Sequence, residues 1–313
     1  MKTKLKAIYY KCNKAKNRMF SGKPVLVAMY HRTSNEVRKE LQYLTVDLVS
    51  FEEQLCYFKK NYQILRLSED WSSLKKTGIV ITFDDGYADN LLNALPLLEK
   101  YQIPATIFVT TLNIDSKKEF WWDRFVFDYT HCEPFFYLPD VKEQVSKKTH
   151  SYGNISSFIS KLSTEKKEIW LLEFEKLNKI PFYDQEDFRS LSNEELKYLS
   201  DHPLIDIGIH THNHYSFENL SYQEQKEELS FSIEKLNKLI TKSIRYLALP
   251  HGSYNGETLK VLQELDCLGM LLANNNYSNY KNKLSKKINR ILIPNIKGKE
   301  LVKYMNRFDF KIW

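Results

Sequence analysis

Two short stretches of this chain carry residues whose types and spacing suit hydrolytic chemistry. Thr82-Phe83-Asp84-Asp85-Gly86-Tyr87 ends an apolar run in two adjacent carboxylates and a glycine. Neighbouring carboxylates repel, so such a pair at a strand end asks for a shared proton or cation. A plainer reading has Asp85 or Asp89 capping a helix that starts at Asn90. His210-Thr211-His212-Asn213-His214 places three of the chain's eight histidines within five residues. Imidazoles at i and i+4 just past a strand can converge on one cation, although a polar loop would also accommodate them. Taken together, one aspartate and two histidines make a three-ligand set with an open position, which is the pattern of a catalytic metal site. The remaining carboxylate is then free to act as a base on water.

The surrounding pattern shows how these residues are positioned. Residues 23–30, 62–67, 78–83, 105–109, 205–209, 244–249, 269–273 and 288–293 read as short apolar strands. Helical periodicity runs over 50–60, 90–101, 193–200, 222–240 and 257–265. Alternation of this kind predicts an α/β architecture with a parallel sheet, either a (β/α) barrel or a doubly wound open sheet. In a barrel, catalytic residues stand at the C-terminal ends of strands, where both stretches fall. From about 113 to 188 the pattern changes to dense aromatics and then to helical Lys/Glu periodicity. This part is expected to be an insertion hung on the main fold.

In Thr82–Gly86 (TFDDG) and His210-Thr211-x-x-His214, the chain resembles the polysaccharide deacetylases of carbohydrate esterase family 4. The resemblance runs from about Pro24 to Ile293 and takes in Met29-Tyr30-His31-Arg32 and Leu249-Pro250-His251-Gly252-Ser253-Tyr254-Asn255. It implies a distorted (β/α) barrel of seven or eight mostly parallel strands, with the helical, aromatic-rich insertion. It also implies Asp84 as general base and Asp85, His210 and His214 as ligands of a divalent metal, Zn²⁺ ahead of Co²⁺ or Ni²⁺. Thr211 would orient the loop, His212 and Asn213 would be loop residues, and the backbone N–H of His251 would face the oxyanion. Tyr87, Pro250 and Tyr254 would meet the substrate.

The chain also departs from the family pattern. Ala248 stands where the family carries an arginine that pairs with the base, and no histidine follows His251. Arg290, on the last strand, is a candidate for the missing positive charge, and His31, at the end of the first strand, for the general acid. In the insertion, Phe120-Trp121-Trp122-Asp123-Arg124 looks like a segment of members linked to surface polysaccharide and lipopolysaccharide synthesis. Trp121 and Trp122 would stack on pyranose faces and Asp123 would bind hydroxyls. The alternative is a satellite hydrophobic core under a long insertion.

The expected activity is removal of an N-acetyl group from an amino sugar of a surface polysaccharide or its lipid- or nucleotide-linked precursor. The alternatives are deformylation of a lipid-linked formamido sugar and a catalytically inactive carbohydrate-binding relative. Composition agrees with an enzyme domain: 313 residues, 42% hydrophobic and 27% charged, suffice for a substantial core. A mean hydropathy of −0.48 with 14% aromatics excludes membrane-embedded and disordered classes. Net charge is +7, but no nucleic-acid-binding module is recognisable. Residues 1–33 hold nine Lys or Arg and no acid, and no apolar segment of signal-peptide type follows. The expectation is a basic segment at 1–23 before a catalytic domain at 24–313, in a cytoplasmic protein touching anionic lipid at the inner membrane face. The four scattered cysteines read as reduced.

Overall fold

A computed structural model describes residues 23–116, 118–181, 188–242 and 245–308. Most of the basic N-terminal segment lies outside the described residues. Eight strands form the barrel wall: β1 (Val25–Tyr30), β2 (Gly78–Phe83), β3 (Ala105–Val109), β4 (Ile205–Ile209), β5 (Tyr246–Ala248), β6 (Gly269–Leu272), β7 (Lys287–Asn289) and β8 (Ile291–Leu292). Their order is β7-β6-β5-β4-β3-β2-β1-β8, and every pairing is parallel. Only Arg290 separates β7 from β8. One stretch of chain therefore pairs with β6 on one side and β1 on the other, and the barrel is nearly closed. The residues 288–293, expected as one strand, are broken at that arginine. The strand expected over 62–67 is reduced to Gln63–Ile64, which pairs with the start of β2.

Strands β1, β2 and β3 are buried on both faces, as continuous apolar runs in a parallel sheet require. Side chains alternate between lumen and helix shell. Val25, Val27, Val80, Phe108, Ala248, Leu271 and Ile288 share one cluster that Trp71 and Leu67 complete. Leu26, Ala28, Ile79, Ile81, Ile107, Ile205 and Ile207 join the larger cluster with the helices, including Phe51, Leu55 and Leu229. Continuing the lumen parity past the strand ends selects His31, Asp84, His210 and Arg290. Gly208 is required here, because a Cβ at that position would lie 2.4 Å from a ring carbon of Phe108.

Polar caps start the flanking helices. Ser192 with Glu195 and Ser221 with Glu224 make reciprocal capping boxes for Asn193–Asp201 and Tyr222–Leu239. The helix expected from Asn90 begins as a π-turn over Asn90–Ala94 and becomes α-helical over Leu95–Tyr101. Neither Asp85 nor Asp89 caps it with a side-chain bond. Asp89 instead forms a buried ion pair with Arg32, 2.9 Å long.

The insertion folds on its own core. Helices Trp121–His131, Tyr152–Ile159 and Thr164–Asn178 and the hairpin of Phe135–Tyr137 with Gln144–Ser146 enclose Phe125, Phe136, Trp170 and Phe174. Among the described residues no helix is long and apolar enough to cross a membrane.

Candidate active site

The end of β2 turns sharply. Asp85 and Gly86 both take positive φ, 74° and 82°, and a Cβ on Gly86 would press against the Val109 side chain at 3.0 Å. The turn sends the two carboxylates to different partners. Asp85 Oδ1 lies 3.2 Å from His210 Nε2 and 3.3 Å from His214 Nε2. One donor atom from each of the three residues falls within 4.8 Å of the others. Burial works against the charge on Asp85, yet the two imidazoles hold its carboxyl well below the usual range.

The imidazoles are presented by backbone and buried polar groups. His210 Nδ1 lies 2.8 Å from the Ala248 carbonyl, which can only accept. That bond fixes Nδ1 as a donor and leaves Nε2, beside Asp85, as the ring atom that would ligate a cation, the usual outer-shell arrangement of a metal-binding histidine. Thr211 takes a φ of 64°, and its hydroxyl accepts from the His214 N–H at 3.1 Å. Glu228, on helix Tyr222–Leu239, accepts from the backbone N–H groups of His212 and Asn213 at 3.1 and 2.8 Å. His212 Nδ1 is paired with the Thr111 hydroxyl at 2.9 Å, so this ring is turned away from the Asp85 cluster. Asn213 bonds to Glu228 and to the Thr164 hydroxyl. The set of Asp85, His210 and His214 fits a divalent cation in donor chemistry and spacing.

Asp84 faces the lumen and receives Arg290. Nη1 donates to Oδ1 at 2.6 Å and Nη2 to Oδ2 at 2.8 Å, a two-pronged pair between wholly buried groups. Burial alone would raise the Asp84 carboxyl, but the guanidinium, with His210 beside it, holds it below its ordinary value. Ala248 is part of the lumen cluster, and the guanidinium arrives from two strands further along the sheet. His31 lies close enough to both aspartates to feel their charge, yet burial keeps its pKa below the ordinary value. Its Nδ1 is buried without a partner.

The loop after β5 brings His251 against the metal cluster, with its ring 5.1 Å from that of His214. His251 has φ of 57°, and Gly252 follows with φ of 66° where a Cβ would lie 2.7 Å from the Ala273 nitrogen. Pro250 is buried in this loop and Tyr254 is exposed, with Lys287 over its ring.

The aromatic segment packs as a hydrophobic cluster, with Phe120, Trp122 and Val126 against Tyr87 and Leu41. Trp122 packs on His214 with ring centres 4.8 Å apart, and its Nε1–H donates to the Tyr87 hydroxyl at 2.7 Å. That hydroxyl donates to Asp123 Oδ2 at 2.6 Å. Tyr87 and Asp123 are wholly buried, so they act on the site by holding Trp122 and are not exposed on its surface as sugar contacts. Burial raises the Asp123 carboxyl to about 6 despite Arg32 nearby. Trp121 and Trp122 line a cleft of about 780 Å³ that runs from His214 under the insertion, between Leu112 and helix Thr164–Asn178. Glu228, Thr111, the Arg32–Asp89 pair and Lys167, which lines the same cleft, have no signature in the sequence that marks these contacts. A lone Glu, Thr or Lys on a helix or loop carries no local signal of such a role.

The fold and the donor cluster define a (β/α)-barrel protein with a candidate metal site at its strand ends, and the comparisons specify the family. The polysaccharide deacetylase family model matches residues 72–269, and the chain belongs to that family. The deacetylase-family protein YxkH of Bacillus subtilis (strain 168) is 23% identical over 246 residues, which cover 76% of this chain and 60% of that protein. This chain thus spans less than two thirds of that relative's length. Among solved structures, the Streptococcus pyogenes deacetylase PplD in complex with acetate is 22% identical, with a TM-score of 0.59 over 91% of this chain and 99% of that one. A de-N-acetylase from Aggregatibacter actinomycetemcomitans is 15% identical, with a TM-score of 0.56 over 90% and 99% of the two chains. At these identities the solved structures establish the shared fold.

Proposed function

We propose that this protein is a metal-dependent hydrolase that removes the N-acetyl group from an amino sugar of a surface polysaccharide or its precursor. The observation that carries the reading is the division of labour at the end of β2. Asp85 sits with His210 and His214 as a metal-donor set, while its neighbour Asp84 is held ionised by Arg290. The names of the structural neighbours, a deacetylase with acetate and a de-N-acetylase, support the acyl group.

Asp85, His210 and His214 would hold a divalent ion, Zn²⁺ by preference, which when bound would polarise the amide carbonyl and acidify water. Asp84 takes a proton as water adds to the carbonyl carbon. The His251 N–H donates to the oxyanion that develops. The C–N bond then breaks, and the proton held by Asp84 passes to the departing nitrogen, with His31 beside both aspartates as the relay. Acetate and a free amino sugar leave. Trp122, fixed by Tyr87 and Asp123, keeps the His214 ring in place and presents an aromatic wall to the sugar.

The test has two parts. Elemental mass spectrometry of the purified protein should find about one zinc, cobalt or nickel ion per chain. The ion should be absent from an Asp85→Ala/His210→Ala variant. The loaded protein should release acetate from N-acetylated amino sugars. A protein that takes up no metal from excess zinc would defeat the reading in favour of a binding protein.

A further inference from the structure

Lys167 is an unexpected residue at its position. It is 5% exposed, one turn into helix Thr164–Asn178, where the positive end of the helix dipole disfavours a cation. It makes no ion pair among the described residues. Its ammonium lies 5.3 Å from the ring centres of both Trp121 and Tyr215, which confine it between two aromatic faces. The nearest acid in electrostatic terms is Glu228, and that carboxylate is already occupied by the N–H groups of the histidine loop. A buried ammonium without a carboxylate is costly unless a ligand supplies the counter-charge.

The ammonium lies on the path to the reacting centre. Lys167 lines the cleft that His214 and Trp122 also line, and its charge is felt at both His214 and His251. Four of the five acids elsewhere in the cleft are paired or raised by burial, and the fifth, Glu165, makes no ion pair among the described residues. Arg124 pairs with Glu168 and Glu175, and Asp128 and Glu119 are raised by burial towards their neutral forms. At the His214 end, Lys167 is therefore a cation with no ion-pair partner among the described residues, and Glu228, whose charge it feels, is already engaged by the histidine loop. Burial lowers its ammonium to about 8, so it remains mostly protonated at neutral pH.

We propose that Lys167, clamped between Trp121 and Tyr215, forms an anion subsite beside the metal-donor cluster, which binds a phosphate ester or carboxylate carried by the substrate. The inference deepens the deacetylase reading and rests on it for what the substrate is. The amino sugar would then be an anionic one, such as a sugar phosphate in an activated or carrier-linked precursor, or a sugar in a chain with uronic acids.

The experiment is calorimetric titration of the full-length protein with inorganic phosphate and, separately, with glucuronate. Wild type is compared with Lys167→Met, Lys167→Gln and Lys167→Arg, each checked for thermal unfolding and metal content. The expected result is that Lys167→Met and Lys167→Gln weaken binding by about tenfold or more while Lys167→Arg keeps it. The effect on phosphate identifies a phosphate ester, and the effect on glucuronate a carboxylate. Equal affinity in wild type and Lys167→Met for both probes, or no binding of either, overturns the proposal. With N-acetyl amino sugars, the preference in kcat/KM for the anionic over the neutral form should fall by a similar factor in Lys167→Met. If no such sugar is hydrolysed but the anion effect persists, the deacetylase reading fails and the subsite stands. If sugars are hydrolysed and Lys167→Met binds anions as wild type does, the subsite fails alone.

Discussion

Arg290 and Asp84 lie 206 positions apart in the chain and meet in a two-pronged ion pair inside the barrel, with both oxygens of the carboxylate engaged. The arginine occupies the single-residue break between β7 and β8, the stretch that pairs with both edges of the wall. Closure of the barrel and the charge state of the candidate base thus depend on one short segment.

Replacing Arg290 by Met should therefore change activity in a defined way. Loss of the guanidinium raises the Asp84 carboxyl. An ionised base is required, so activity is lost as pH falls through that value. The acid limb of kcat/KM should move to higher pH, and turnover at pH 7 should fall by about two orders of magnitude. Metal content should be unchanged, because Arg290 touches none of the three donors. Breaking a buried pair also costs about 3–5 kcal/mol of stability, so the profile is measured well below the unfolding temperature. An unshifted acid limb would separate Asp84 from the base role.

Much of this arrangement can be read from the chain before folding. Val80, Thr82 and Asp84 alternate along one strand, Gly208 and His210 along another, and Ile288 and Arg290 along a third. A period of two assigns each set to one face. The partners cannot be read in the same way. Nothing near Arg290 indicates Asp84, and nothing near Trp122 indicates the hydroxyl of Tyr87, because each contact is created by barrel closure or by the insertion folding back. Glu228 is the extreme case. It looks like an ordinary charged helix residue, yet it accepts from two backbone N–H groups of the histidine loop.

Gly208 tests the packing beneath the site. A Cβ there would lie 2.4 Å from Cε1 of Phe108, whose ring is also 5.8 Å from the Arg290 guanidinium. Gly208→Ala should destabilise the protein by about 1–3 kcal/mol through overpacking. Shortening the ring in Phe108→Leu should recover part of that loss in the double variant. Denaturant unfolding of the four proteins measures it, and additive losses would show that the two side chains do not meet.

His31 has a buried Nδ1 without a partner and a lowered pKa, next to two aspartates. A neutral imidazole in that place can pass a proton on but does not begin the cycle as an acid. His31→Gln should lower turnover by about tenfold to a hundredfold, with little change in metal content. Unchanged turnover would remove His31 from the reaction and leave the proton on Asp84 for direct transfer.

Asp123 links pH to the stability of the aromatic wall. Its carboxyl is wholly buried, with Oδ1 unpartnered, and burial raises it to about 6 from the usual value near 4. Between those two values the folded protein binds a proton that the unfolded chain has released. This group's stabilising contribution is therefore complete below pH of about 4 and is lost as pH rises through 6, on the order of 3 kcal/mol in all. Asp123→Asn cannot titrate, and its amide oxygen can still accept from the Tyr87 hydroxyl. The variant should be less stable than wild type at pH 4.5 and should close that gap, or reverse it, by pH 7. Thermal unfolding of both proteins across this range measures the difference. Parallel curves would mean that Asp123 keeps an ordinary carboxylate pKa and that the wall owes nothing to its protonation.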